Sequence, residues 1–309
     1  MKRRNFIKQL GIAAAAPLVG RWPAAAESTT QRGGGAHQLL SCNIRVALPE
    51  DDAAGNGWNV RRELCLEVIR AQNPDLICFQ EVLRGQMTDL EKGLPTMAGF
   101  GFEGPEMDAR MVGYGGIAKN PVFYSRERYE LVTCGSFWLS ETPHLPGSLS
   151  WESARARHVN WVRLRERTSG RQLRVLSTHL DHISAPAREE QIKMILAEAA
   201  LYAPEFPQFL AGDFNSSARS NVIKSVLEAG WTNSQTAAPE PHDDGNTTHG
   251  FLEEKDPAKL EAARKRGPID FIFTRGPVAT LGWRIIRDSK AGRYPSDHFF
   301  IAAKLAINP

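Results

Sequence analysis

The sequence lacks any apolar run long enough to cross a membrane. Its most apolar early stretch, Leu10 to Val19, falls short of the ~20 residues a bilayer span requires. It also lacks a basic excess. The formal net charge is +3, but Lys2, Arg3, Arg4, Lys8 and Arg21 all fall within residues 1–26, which carry no acid. Without that segment the charge is −2, which excludes the basic footprint that dominates non-specific nucleic-acid affinity. Cysteine is scarce: Cys42, Cys65, Cys78 and Cys134 form no CxxC pair and no zinc-ligand spacing. A disulfide framework and a structural zinc site are thereby disfavoured, and the four read as unpaired thiols in apolar surroundings. There is no internal repeat, no low-complexity tract and no composition shift within 37–309. Charged residues at 24% argue against wholesale disorder.

The N-terminus carries an export pattern. A basic start, a short apolar stretch and the small residues Ala24, Ala25 and Ala26 predict a signal peptide over 1–26. Arg3-Arg4-Asn5-Phe6-Ile7-Lys8 resembles a bacterial twin-arginine signal, an address read by a translocase. That implies a periplasmic or secreted protein. Residues 27–36, small and polar, read as a tether, and 37–309 as one domain.

Beyond the tether, β-rich runs alternate with helical stretches. Strands are predicted near 38–46, 75–80, 121–125, 129–139, 158–166, 172–180, 207–212, 269–274, 281–287 and 297–306. A helix over 58–71 places Val60, Leu64, Val68 and Ala71 on one side. A second over 186–202 groups Ile192, Ile195, Leu196 and Ala199, with Pro186 near its start. A third over 219–229 ends at Gly230, a suitable cap. Residues 232–268 form a long polar stretch, helical from Leu252 to Arg266; with His242, Asp243, Asp244 and His249 it is suited to cover a small substrate.

Polar residues interrupt or follow apolar runs at six separate places. They are Asn43, Glu81, His179, the pair Asp213 and Asn215, Asp270, and the pair Asp297 and His298. A buried acid or amide costs free energy unless it is paired or binds something. Six such interruptions point to one polar floor where strand ends converge.

In order, N…QE…THLDH…GDFN…IDFIF…SDH resembles the endonuclease/exonuclease/phosphatase superfamily over essentially all of 37–309. That superfamily includes pancreatic deoxyribonuclease, abasic-site endonucleases, neutral sphingomyelinases, inositol-polyphosphate phosphatases and deadenylases. FWLSETP (137–143) and THGF (248–251) resemble a bacterial subgroup. The resemblance implies an α+β, four-layer α/β/β/α sandwich of the deoxyribonuclease-I-like type. It implies a metal-dependent phosphoric ester hydrolase, with Glu81, Asn43 and Asp297 holding Mg²⁺ or Mn²⁺. Asp213 and Asn215 would position the nucleophilic water and stabilise the transition state. Two apart on an extended strand, they would share one face. His298 would be general base or acid, oriented by Asp270. His179 would contact a phosphate oxygen or assist the leaving group, and Arg157 would grip phosphate. His249 is a further substrate-binding candidate, and Asp181 reads as a loop-stabilising acid. The expected partner is a phosphate ester (nucleotide, sugar phosphate, lipid head group or nucleic acid), and the expected state a monomer.

One departure stands out. Many superfamily members carry a glutamate, just before the strand at 121–125, that braces the first histidine. Ala118 occupies that place here, and Lys119 beside it either reaches substrate or is solvated. Two competing functions remain open on sequence: a hydrolase or lyase of a non-phosphate substrate using the same floor, and an inactive binding protein. The second predicts losses among the key residues, and none is seen at Glu81, Asp213, Asn215, Asp270, Asp297 or His298.

Overall fold

A computed structural model describes residues 35–107, 116–239, 245–251 and 257–308. The expected export signal (1–26) and most of the expected tether (27–36) lie outside them. The tether's end is fixed: the Arg128 guanidinium takes the carbonyls of Gly35 and Ala36.

Two six-stranded sheets form the frame. The first contains β1 (His37–Asn43), β2 (Leu76–Gln80), β3 (Met97–Phe100), β4 (Val122–Ser125), β11 (Val278–Ile286) and β12 (Phe300–Ile307), in the order β11-β12-β1-β2-β4-β3. The second contains β5 (Tyr129–Trp138), β6 (His158–Glu166), β7 (Gln172–His179), β8 (Gln208–Asp213), β9 (Thr232–Asn233) and β10 (Asp270–Arg275), in the order β5-β6-β7-β8-β10-β9. Each sheet has one parallel pair at its centre, β1 with β2 and β7 with β8. Parallel pairs need a crossover. Helices α1 (Pro49–Ala53) and α2 (Trp58–Ala71) supply it in the first sheet, and α4 (Ala185–Ala199) in the second. The remaining helices are α3 (Arg84–Gly93), α5 (Asn221–Glu228), α6 (Ser234–Ala237) and α7 (Pro257–Arg266).

Period-2 alternation distributes the apolar side chains over three layers. Leu39, Cys78, Val162, Val175, Ala211, Ile272 and Ile301 meet between the sheets. Leu40, Ile77, Phe79, Phe300 and Ala302 face outward onto α2 and α3. Leu176, Leu210, Phe271 and Phe273 face outward onto α4 and α5. Burial on both faces explains why the central strands read as unbroken apolar runs. The result is the four-layer α/β/β/α sandwich that the resemblance implied.

Local details differ from expectation in instructive ways. In α2 the buried side chains are Trp58, Arg61, Cys65, Leu66, Val68 and Ile69, whereas Val60 is 44% exposed. Arg61 displaces the expected stripe because its guanidinium is needed inside, where the carbonyls of Ile44, Arg45, Asn56 and Pro295 accept its hydrogen bonds. Helix α4 starts where Ser184 accepts from the Ala187 N–H. Gly230 follows α5 at φ +81°, a left-handed conformation glycine adopts without a Cβ clash. The cysteines are unpaired, three of them buried. No helix among the described residues is long and apolar enough to cross a membrane.

Candidate active site

Five side chains form one transverse row across the end of the second sheet. Trp138 pairs with His158 across β5 and β6. His158 and His179 stand one step beyond the Val159–Thr178 pair of β6 and β7, so they face each other. His179 pairs with Asp213 across the parallel ladder, and Asp213 pairs with Asp270. All five point inward by alternation, as do Asn160, Val175, Ala211 and Ile272 on the same strands.

The first sheet answers from the opposite side. Asn43 ends β1, and Glu81 follows the last residue of β2. Ligand sites in open sheets commonly lie beyond the carboxyl ends of parallel strands, and both parallel pairs end here. Asn43 Nδ2 donates to Glu81 Oε1 at 3.1 Å and to Asp213 Oδ2 at 3.1 Å, tying the two sheets together. The Val46 N–H donates to Glu81 Oε2 at 2.8 Å. Glu81 itself has φ +65°, rare for a non-glycine residue and a strain of about 1–3 kcal/mol held in place by these contacts.

Asp213 and Asn215 share the site by a turn rather than by an extended strand. β8 ends at Asp213, and Asn215 adopts φ +46°, which asparagine tolerates well. Its N–H donates to Asp213 Oδ1 at 2.8 Å. Its side-chain Nδ2 lies 3.0 Å from the Leu180 carbonyl and 2.9 Å from His179 Nε2. His179 Nε2 is also 3.4 Å from Asp213 Oδ2.

His298 Nδ1 lies 2.9 Å from Asp270 Oδ2, and its Nε2 lies 3.8 Å from Asp213 Oδ2. Burial alone would push this imidazole down; the facing carboxylates of Asp270, Asp297 and Asp213 instead hold it well above its ordinary value. Burial, followed by the neighbouring charge of Asp270, pushes the Asp213 carboxyl up to about 7. Burial likewise raises Asp297, with Glu81 adding to it against His298 and Arg45. His179 is pushed well below its ordinary value, first by burial and then by Arg157.

Arg157 is buried one residue before β6, with Nη2 3.2 Å from His182 Nδ1. Asp181 organises this side: it accepts from the N–H groups of Ala154, Arg155, Ile183 and Ser184 and from Ser153 Oγ. Burial pushes its carboxyl up, but the Ser184 and Ile183 N–H groups outweigh that and hold it low. Within FWLSETP, Phe137 and Leu139 pack outward, while Trp138 turns inward onto the His158 ring at 4.8 Å. The Leu139 N–H donates to the Arg157 carbonyl, so this motif sets where Arg157 enters the site.

His249 stands apart from the other candidates. Its N–H and that of Gly250 donate to the Asp297 carbonyl, but its ring packs between Tyr294 and Phe299. No hydrogen bond joins that ring to another candidate among the described residues. Lys119 is not solvated: its ammonium is buried and ion-paired with Glu103. His242, Asp243 and Asp244 lie outside the described residues. The segment from Gly245 to Phe251 runs beside His298, through a bridge between Thr248 and His298.

Several site residues escaped sequence reading. Thr247 Oγ1 donates to Asp270 Oδ2 at 2.5 Å; its place beside THGF was the available signal. Arg45 Nη1 lies 3.4 Å from Asp297 Oδ2, and its Nε 2.8 Å from Asp51 Oδ2. His158 was hidden between Arg157 and an apolar strand.

The donor set suits a divalent cation. Glu81, Asp213, Asp270 and Asp297 bring like charges together, which adds to burial in making Asp213 and Asp297 resist ionisation. Hard carboxylate and amide oxygens favour Mg²⁺ or Mn²⁺. Asp213, Asp270 and His298 each offer a ligand atom within 4.8 Å of one another. Asp270 Oδ2, however, already serves His298 and Thr247, an arrangement better suited to proton transfer than to ligation.

Comparison with known proteins agrees with this fold. A mannosyl-6-phosphatase of Bacteroides thetaiotaomicron has 25% identity and a TM-score of 0.77, the alignment covering 87% of this chain and 99% of that one. A conserved protein of unknown function from Enterococcus faecalis has 29% identity and a TM-score of 0.75, covering 88% of this chain and 100% of that one. Drosophila melanogaster nocturnin is 27% identical over 178 residues, 55% of this chain but only 26% of nocturnin. Residues 40–298 match the Endonuclease/Exonuclease/phosphatase family, and the chain belongs to that family.

Proposed function

We propose that this chain is an exported, divalent-metal-dependent hydrolase of small phosphate esters. One observation carries the reading: the ordered row His179, Asp213, Asp270 in one sheet faces Glu81 and Asn43 of the other, with Asp297 and His298 closing the gap. The similarity to a mannosyl-6-phosphatase and the charge of −2 without residues 1–26 favour a sugar phosphate or similar small ester over nucleic acid.

In this reading Glu81, Asn43 and Asp297 hold the ion, Mg²⁺ or Mn²⁺, which when bound polarises the phosphoryl oxygen and neutralises developing charge. Asp213 and the His298–Asp270 pair orient the attacking water and move its proton. Asn215 holds the His179 ring through its side-chain amide, and the two form the polar wall beside which the phosphoryl group sits. Arg157 grips a phosphate oxygen from the basic side of the site. His249 supports the Asp297 loop through its main chain. Residues 1–26 direct export through the twin-arginine translocase, and the mature chain acts as a monomer in the periplasm or outside the cell.

Assays with p-nitrophenyl phosphate and bis-p-nitrophenyl phosphate test this. Turnover of at least one, abolished by EDTA, restored by Mn²⁺ and lost in Glu81→Ala and Asp213→Ala, is expected. Turnover surviving Glu81→Ala in EDTA would contradict it.

A further inference from the structure

The structure assigns His158 as the positioning residue of His179: we propose that a His158 ring nitrogen accepts the proton on His179 Nδ1, directly or through one water. The inference rests on the function proposed above only for its kinetic consequence.

The tautomer of His179 follows from its neighbours. The Asn215 amide carries two donors, aimed at the Leu180 carbonyl and at His179 Nε2. An Nε2 that accepts leaves the ring proton on Nδ1. That Nδ1 is buried and has no hydrogen-bond partner among the described residues. A buried donor left unsatisfied destabilises the fold, so a partner is demanded.

Ala118 offers no carboxylate. The next residue in the transverse row does offer an acceptor. His158 faces His179 across β6 and β7, where paired side chains stand roughly 5 Å apart at Cβ. Its side chain is fully buried, and both of its ring nitrogens also lack partners. One His158 nitrogen, acting as acceptor, satisfies the Nδ1 donor of the neighbouring, inward-facing His179 imidazole. Trp138, tilted against the other side of His158 with ring centroids 4.8 Å apart, backs the ring toward His179. Burial, reinforced by Arg157 and Lys119, pushes His158 down to about 3, which keeps it neutral and able to accept. The row thus acts as one chain of contacts in which Trp138 supports His158, and His158 orients His179.

Long-range ¹H–¹⁵N correlation spectra of the full folded domain, with His179 assigned by His179→Gln, read the tautomer without needing turnover. In the native protein His179 is expected as a single Nδ1–H tautomer. His158→Phe is expected to shift it toward a mixture, and His158→Gln, which keeps an acceptor, to restore it. With p-nitrophenyl phosphate, His158→Phe should lower kcat about 10–100-fold with KM within about twofold, and His158→Gln should recover most of it. A native Nε2–H tautomer would overturn the proposal even if His158→Phe fails to fold. So would unchanged His179 signals in a folded His158→Phe. If the spectra behave as expected but no variant, nor the native protein, hydrolyses a phosphate ester, the pairing stands and the proposed function fails.

Discussion

Asp270 Oδ2 is shared by two donors, His298 Nδ1 at 2.9 Å and Thr247 Oγ1 at 2.5 Å. The second bond fixes the carboxylate so that its lone pair aims at the imidazole. Asp270→Asn keeps the shape and removes the charge, so kcat for the phosphate ester should fall about 10²–10⁴-fold. Thr247→Val removes the bond to Asp270 Oδ2 and the two that Oγ1 accepts from the Ile269 and Asp270 N–H groups; loss of the first should cost only about fivefold in kcat, in line with about 1 kcal/mol. Steady-state kinetics of both variants would show whether the effect falls on kcat, as expected, or on KM.

Under the proposed function, Glu81 sets the response to metal. Saturating Mn²⁺ at about a hundred times Kd should stabilise the native protein by about 2.7 kcal/mol. Glu81→Gln keeps the size and loses the charge that helps raise Asp297 and Asp213. Without metal it should melt at or above the native temperature, and Mn²⁺ should no longer raise it. Thermal melts with EDTA and with Mn²⁺ decide this.

Arg61 links the two loops that carry the site. Its guanidinium binds the Ile44 and Arg45 carbonyls after β1 and the Pro295 carbonyl before Asp297. Arg61→Met leaves these buried carbonyls without their charged donor and should cost about 3–5 kcal/mol, read by urea unfolding.

At the far end of the sandwich, His37 Nδ1 lies 2.6 Å from Tyr129 Oη. Burial, helped by Arg128, pushes His37 down from 6.5 to about 4. Between those values the unfolded chain holds a proton that the folded chain refuses. His37 therefore favours unfolding as pH falls from about 6.5 to about 4, and its contribution is constant above that window. His37→Asn should lose less stability than the native protein between pH 7 and 4.5. Parallel urea titrations at the two pH values that gave equal losses would contradict the assignment.

How much of this was legible depended on the range of the interactions involved. The long strands announced themselves through Val, Ile, Leu and Phe runs. β3, MAGF with a glycine at 99, and the two-residue β9 have too little pattern to be seen. In α2 the apolar period pointed to Val60, but the buried guanidinium of Arg61 rotated the true inner face. The chemistry-bearing residues could be named because each breaks an apolar run at a strand end. Their order across the sheet could not, because register between strands far apart in sequence is set by packing. That is why His179, Asp213 and Asp270 were seen and His158, one strand beyond His179 in the same row, was not.

The most direct test of the central claim is a crystal structure with Mn²⁺ and inorganic phosphate. An anomalous peak is expected about 2.0–2.2 Å from a Glu81 carboxylate oxygen, with a phosphate oxygen on the ion and another within hydrogen-bond reach of Arg157. A fully occupied manganese away from Glu81, or phosphate bound elsewhere on the surface while this cleft holds neither, would contradict it.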